Sequence, residues 1–116
     1  MSDDCLFCRI VAGEIPATIV HETADTLAFR DIAPKAPVHT LVITKPHHAD
    51  LAALVAADPA LAAELLDAAA EVARVEGVED GGYRLIFNSG PDAGQEVAHV
   101  HAHVLGGQPL GPMISR

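Results

Sequence analysis

Apolar positions in this chain recur with two different periods, and each change of period marks an element. Residues 5 to 12 hold a short apolar stretch ending at Gly13, enough for a helical turn or two before Pro16 stops it. Thr18 to Glu22 and Thr26 to Asp31 read as two strands around an Ala24-Asp25 turn, a hairpin. Pro34 and Pro37 mark a loop. After it, His39-Thr-Leu-Val-Ile-Thr44 is β-branched and apolar until Pro46, a strand that sets His39, Leu41 and Ile43 on one face.

From Asp58 the period becomes helical. Asp58 suits a cap, Pro59 the first helical position and Gly77 the end. Leu61, Leu65, Ala68, Val72 and Val75 make one stripe, flanked by Glu64, Asp67, Glu71 and Arg74. On the other side Leu66, Ala69, Ala70 and Ala73 widen the apolar surface, as expected of a helix that also meets a second copy of the chain, although alanine is equally a good helix former. Tyr83 to Asn88 and His99 to Leu105 complete the strands, with Ser89-Gly-Pro-Asp-Ala-Gly94 between them. Pattern alone therefore predicts an α+β fold of five strands with one long and one short helix, undivided by repeat or linker over residues 1–116.

Composition narrows the choice of partners. A chain of 116 residues fits one domain, and half of it is apolar with only 3% aromatic. Its core must be built from small side chains, which leaves room for a partner subunit. The formal net charge of -9 argues against sequence-independent nucleic-acid binding, which needs clustered Lys and Arg. A single nucleotide remains compatible, held by backbone N–H groups and histidines. No apolar run approaches the ~20 residues of a membrane span, and Met1-Ser-Asp-Asp-Cys5 is acidic where a signal peptide is basic, so a cytoplasmic protein is expected. The only cysteines, Cys5 and Cys8, are spaced for a metal pair or free thiols rather than a secreted disulfide framework.

Candidate chemistry concentrates in His99-Val-His-Ala-His103. On a strand, period two sets the three imidazoles on one face about 6 to 7 Å apart, with Val100, Ala102 and Val104 turned to the core. This spacing is compatible with a metal site and with a catalytic row. Crowded imidazoles disfavour one another's protonation, so a neutral row is expected near neutral pH, and a neutral imidazole is a nucleophile suited to covalent catalysis at phosphorus. Upstream, Gly90 and Gly94 let the segment 88–97 bend so that its N–H groups converge, as an anion requires. An ordinary loop has the same composition, and neither the Walker nor the dinucleotide-binding glycine pattern is present. His21 and His48 are read as solvated.

Together these residues resemble the histidine triad family through its histidine-φ-histidine-φ-histidine-φ-φ motif, and within it the nucleotide-binding branch. The resemblance covers nearly the whole chain: Phe7, Gly13-Glu-Ile-Pro-Ala, Ala28-Phe-Arg-Asp-Ile-Ala-Pro-Lys-Ala-Pro-Val-His39, Gly82-Tyr-Arg-Leu, Asn88, Gly94-Gln95 and His99 to Gly107. It implies a five-stranded antiparallel sheet with a long helix, paired into a homodimer through that helix and an edge strand. It further implies hydrolysis of purine nucleoside 5′-phosphoramidates, with His101 as nucleophile and His39, His99 and His103 completing the polar cluster. A purine slot is implied at Leu6, Phe7, Ile10, Phe29 and Ile32, and a ribose-binding carboxylate at Asp31. Asn88, Gly94 and Val97 match phosphate contacts, with Gln95 and Glu96 in the same segment.

No organic cofactor is implied. Some bacterial members hold zinc with residues that here would be Cys5, Cys8, His47 and His99, a tetrahedral Cys₂His₂ set; two reduced thiols are the alternative. A zinc-bound His99 could serve the triad only through its other nitrogen. Two features depart from the family. Glu96 stands where many members carry a serine that reaches the phosphate or leaving group, and a carboxylate there repels phosphate unless it points away or is protonated. Ala98 and Ala102 are smaller than the residues usual at their positions. The tail Gly106-Gly-Gln-Pro-Leu-Gly resembles the phosphoramidase branch more than the dinucleoside polyphosphate hydrolases, and a nucleotide-binding regulator with incidental catalysis would use the same pocket.

Overall fold

Five strands, β1 (Ile19–Glu22), β2 (Thr26–Arg30), β3 (Val38–Thr44), β4 (Tyr83–Phe87) and β5 (His101–Gly106), form one antiparallel sheet in the order β1-β2-β3-β5-β4. The computed structural model describes residues 5–114; the acidic start Met1–Asp4, part of the case against a signal peptide, lies outside them. β1 and β2 are joined by a tight turn in which the Thr23 N–H donates to the Thr26 carbonyl and Thr23 Oγ1 accepts from the Thr26 N–H, both at 3.0 Å. Helices separate β3 from β4, which lets β5 return between them.

Alternation gives the sheet two unlike faces. Ala28, Val42, Ala102 and Val104 point to one and are fully buried with residues of α3 (Pro59–Val75). Leu27, Phe29, Leu41 and Ile43 belong to the other, where α1 (Leu6–Val11) adds Phe7 and Cys8. On the α3 face Ala62, Ala68, Ala69 and Ala73 let the helix backbone approach closely while Leu61, Leu65 and Val72 fill the space between. Each fully buried Leu or Val contributes roughly 1.5–3 kcal/mol, so this face needs no aromatic residue from the helix.

Two expectations change. Ala69 and Ala73, assigned to a partner-facing side, are fully buried in the chain's own core, whereas Val75, assigned to the core stripe, is 48% exposed. The buried arc is wider than one stripe and turned toward Ala62, Ala69 and Ala73. Among the apolar residues left exposed are Leu66 and Val75 of α3 and Tyr83 and Leu85 of the edge strand β4. Secondly, a third helix, α2 (Leu51–Ala57), precedes α3. Asp50 caps it by accepting the Ala53 N–H at 2.9 Å, and Asp58 ends it while capping α3 through the Leu61 N–H at 3.1 Å.

Glu76 caps the C-terminus of α3, where a carboxylate opposes the helix dipole. It is held there by a fork of hydrogen bonds from Arg30 at 3.2 and 3.1 Å and one from the Thr40 hydroxyl at 3.0 Å. The Arg30 bonds keep its carboxyl below the usual range, and the pair pins the end of β2 just before Asp31. No helix among the described residues is long and apolar enough to cross a membrane.

Candidate active site

β5 begins at His101, so the histidine row is split. His101 and His103 stay on the α1 face, opposite Ile43 and Leu41 of β3. His99 precedes the ladder, and its ring enters a different cluster. Its Nε2 donates to the Thr44 carbonyl at 2.7 Å, and its Nδ1 stands 3.3 Å from Cys5 Sγ, 3.2 Å from His47 Nδ1 and 3.6 Å from Cys8 Sγ. With both nitrogens engaged, the His99 ring offers none to the cleft. Its link to His101 is its carbonyl, which accepts from His101 Nδ1 at 2.7 Å. Nor is the row an open surface: His39, His99 and His101 are buried, and α1 sets Phe7 edge-on to His101 at 5.0 Å and to His99 at 5.9 Å.

Partners that can only donate or only accept decide which ring nitrogen holds each proton. The His99 carbonyl requires N–H at His101 Nδ1, leaving His101 Nε2 as a lone pair. The Lys35 amide donates to His39 Nδ1 at 3.1 Å, so neutral His39 carries its proton on Nε2, 2.9 Å from His103 Nδ1 and 3.5 Å from Asp31 Oδ2. His103 then accepts at Nδ1 and offers N–H at Nε2. A ring nitrogen lone pair and an N–H donor thus stand side by side, their ring centroids 5.0 Å apart. Burial is the first cause of neutrality: it pushes His99 and His103 down to about 4 and lowers His39, while neighbouring imidazoles act second on His103. Spacing alone had put mutual repulsion first.

Beside His101 lies a cleft of about 310 Å³. Leu6, Phe7 and Ile10 of α1 form one wall and Phe29 and Leu41 the other, while Asp31, Glu96, Val97 and His103 make its polar end. Asp31 is set by the Ala33 N–H, which its Oδ1 accepts at 2.8 Å. Ile32 also lines the cleft, fully exposed at its rim. The segment Ile15-Pro16-Ala17 also lines the cleft; no periodicity marked it, whereas strand alternation had set Leu41 on the same face as His39. A second compartment of about 330 Å³ lies beyond His103, lined by Lys35, His39, Ile86, Asn88 and Leu105 and sharing Asp31, Glu96 and His103 with the first.

Gly90 and Gly94 have φ of 83° and 78°, backbone that disfavours other residues even though a Cβ at either would meet no neighbour. The Gly94 N–H donates to the Pro91 carbonyl at 3.0 Å. Gln95 accepts the Gly90 N–H and donates to the carbonyls of Ala49 and Val97. Gly94 and Gln95, expected among the substrate contacts, thus also shape the loop. Asn88 braces it through the Ala93 carbonyl and also lines the second compartment. The amides of Glu96, Val97 and Ala98 have no protein acceptor among the described residues, and of these residues Glu96 and Val97 line the cleft that His101 and His103 also line.

Cys5, Cys8, His47 and His99 bring their ligand atoms within 4.8 Å of one another. The separations between them include 3.2, 3.3 and 3.6 Å; a tetrahedral zinc ion with bonds near 2.0–2.3 Å has edges of roughly 3.3–3.8 Å. Donor type and size both fit a metal ion. Burial, then the neighbouring Cys5, pushes the Cys8 thiol up to about 11, so a cation entering this set displaces protons and binds more tightly as pH rises.

A family model described as HIT domain matches residues 12–110. Over 115 residues the chain is 40% identical to the purine nucleoside phosphoramidase of Escherichia coli K12, covering 99% of this chain and 97% of that protein. A HIT family hydrolase from Clostridium thermocellum superposes with a TM-score of 0.93 at 41% identity, over 99% of this chain and 100% of that one. One from Legionella pneumophila gives 0.89 at 48% identity, over 93% and 96%. The chain belongs to the HIT domain family, and its antiparallel α+β sheet is the HIT fold.

Proposed function

We propose that the protein hydrolyses purine nucleoside 5′-phosphoramidates, adenylated amines or lysine among them, to the nucleoside monophosphate and the free amine. One observation carries this reading: the lone pair of His101 Nε2 and the N–H of His103 stand on neighbouring rings at the polar end of an apolar cleft, where Glu96 and Val97 have amides without a protein acceptor. The name of the Escherichia coli relative supports it. The base would lie between the walls from α1 and β2, Asp31 would accept from the ribose hydroxyls, and the amides with His103 would hold the phosphate. His101 Nε2 attacks phosphorus, the bond from phosphorus to the amine nitrogen breaks, and the amine departs with the proton of His103 Nε2, which the attacking water later restores. Water then attacks, the bond from phosphorus to His101 breaks, and the imidazole is restored. Such transfers depend chiefly on positioning and charge stabilisation.

Assays of adenosine 5′-phosphoramidate beside diadenosine polyphosphates test the reading. The phosphoramidate should be turned over. Turnover of the polyphosphates alone would contradict it in favour of a dinucleoside polyphosphate hydrolase, and tight nucleotide binding without turnover of either would favour a regulator.

Zinc is the proposed occupant of Cys5, Cys8, His47 and His99, on the strength of their donor types and separations. It would supply a structural tie between α1 and the sheet. Metal analysis should find about one zinc per chain; metal-free protein from a zinc-replete preparation would leave two thiols. A homodimer is proposed through the open apolar surface of Leu66 and edge strand β4, so Leu85→Arg should shift light-scattering mass toward the monomer by burying a charge. A cytoplasmic setting suits two cysteines that form no disulfide.

A further inference from the structure

In-line displacement places the leaving group opposite the nucleophile. His101 lines only the apolar cleft, whereas Asp31, Glu96 and His103 line both that cleft and the compartment beyond it. The compartment lies on the far side of His103 from His101. Its floor is Ile86, which pairs with His103 across β4 and β5, and Leu105, further along β5. Phosphorus held between the two histidines would send its leaving group there.

The lining describes what fits. Ile86 and Leu105 offer an apolar bed for a short methylene chain. Of the charged groups, Asp31 is tied to the Ala33 amide and faces His39, and Lys35 Nζ donates to the Ala33 carbonyl at 3.1 Å. Glu96 has no ion pair among the described residues and stands on the border of the two spaces. A carboxylate beside a bound phosphate weakens binding, and a cation near both offsets that cost. The net charge of -9 adds a field of the same sign.

We propose that Glu96 selects the leaving group by charge: the compartment takes an aliphatic amine that carries a second, cationic amine and disfavours leaving groups that carry anionic charge. This rests on the phosphoramidase reading and names its substrate class. Because Glu96 is exposed, the preference is modest, about threefold to fivefold, and is screened by salt.

Four adenosine 5′-phosphoramidates test it, those of ammonia, butylamine, putrescine and γ-aminobutyrate, compared by kcat/KM. Putrescine should exceed butylamine by about threefold to fivefold at low ionic strength, γ-aminobutyrate should fall below butylamine, and both ratios should approach one at about 0.5 M salt. Glu96→Gln should bring the putrescine-to-butylamine ratio close to one without salt. A ratio near one in the unaltered protein at low salt, or an unchanged preference in Glu96→Gln, overturns the proposal. The salt series needs no variant, so a flat ratio at low salt overturns the proposal even if Glu96→Gln misfolds. Turnover of the ammonia compound with flat ratios sinks this proposal alone; turnover of none of the four sinks the phosphoramidase reading and this proposal with it.

Discussion

On its α3 face the sheet meets a 17-residue helix chiefly through Ala, Val and Leu; on its α1 face it meets a 6-residue helix through aromatic rings, two thiols and buried histidines. Strand β5 belongs to both, with Ala102 and Val104 on the first and His101 and His103 on the second. A helix as short as α1 is marginal by itself. Phe7 and the Cys5, Cys8, His47, His99 cluster attach it to the sheet, which leaves a cleft along its flank. The closed face holds the strands in register, and the other can then carry polar groups and open space.

Removing the nucleophile should divide the faces most sharply. His101→Ala is expected to lower turnover at least about a thousandfold while a nucleoside monophosphate binds within a few-fold, because the cleft walls and Asp31 remain. Single-turnover kinetics and calorimetry read the two quantities separately. On the α3 face, Leu65→Ala should cost about 3 kcal/mol in denaturant unfolding, with kcat per folded molecule preserved. A fall in kcat as large as the fall in stability would mean that the faces are not separable.

Acid should act through the α1 face. His103 sits at about 4 against an ordinary value of 6.5, and His39 is also lowered, both first by burial. Between those values the unfolded chain holds more protons, so the contribution is full above about pH 6.5 and is lost as pH falls toward 4, on the order of 2 kcal/mol after discounting for partial solvent access. Unfolding midpoints measured across that range check the slope, which His103→Gln should flatten. The smallest expected effect is from a chelator: amide exchange in α1 should quicken about tenfold while α3 stays protected. Equal loosening of both helices would contradict the division.

Much of this contrast was legible in the chain. Period two in His101-Ala-His103-Val104 separates the faces of β5, and Asp58-Pro59 marks the start of α3. Other parts depend on three-dimensional neighbours. β5 starts two residues later than its histidines indicate, so the His99 ring turns to Thr44 and the thiols. The stretch Leu51-Ala-Ala-Leu54 buries only one leucine and shows no stripe, although Asp50 before it was a usable cap signal for α2. The two carbonyl acceptors of the Gln95 amide have no mark in the sequence, and the Arg30, Thr40 and Glu76 network joins residues far apart in sequence with no local signature.

The central claim is that His101 Nε2 bonds to phosphorus during turnover. Rapid quenching of the unaltered protein with adenosine 5′-phosphoramidate, followed by peptide mass spectrometry, reads it directly. The expected result is a peptide containing His101 that is heavier by one adenylyl group and is absent in His101→Ala. No adduct under single-turnover conditions, together with substantial turnover by His101→Ala, would contradict the claim and leave direct attack by water as the mechanism.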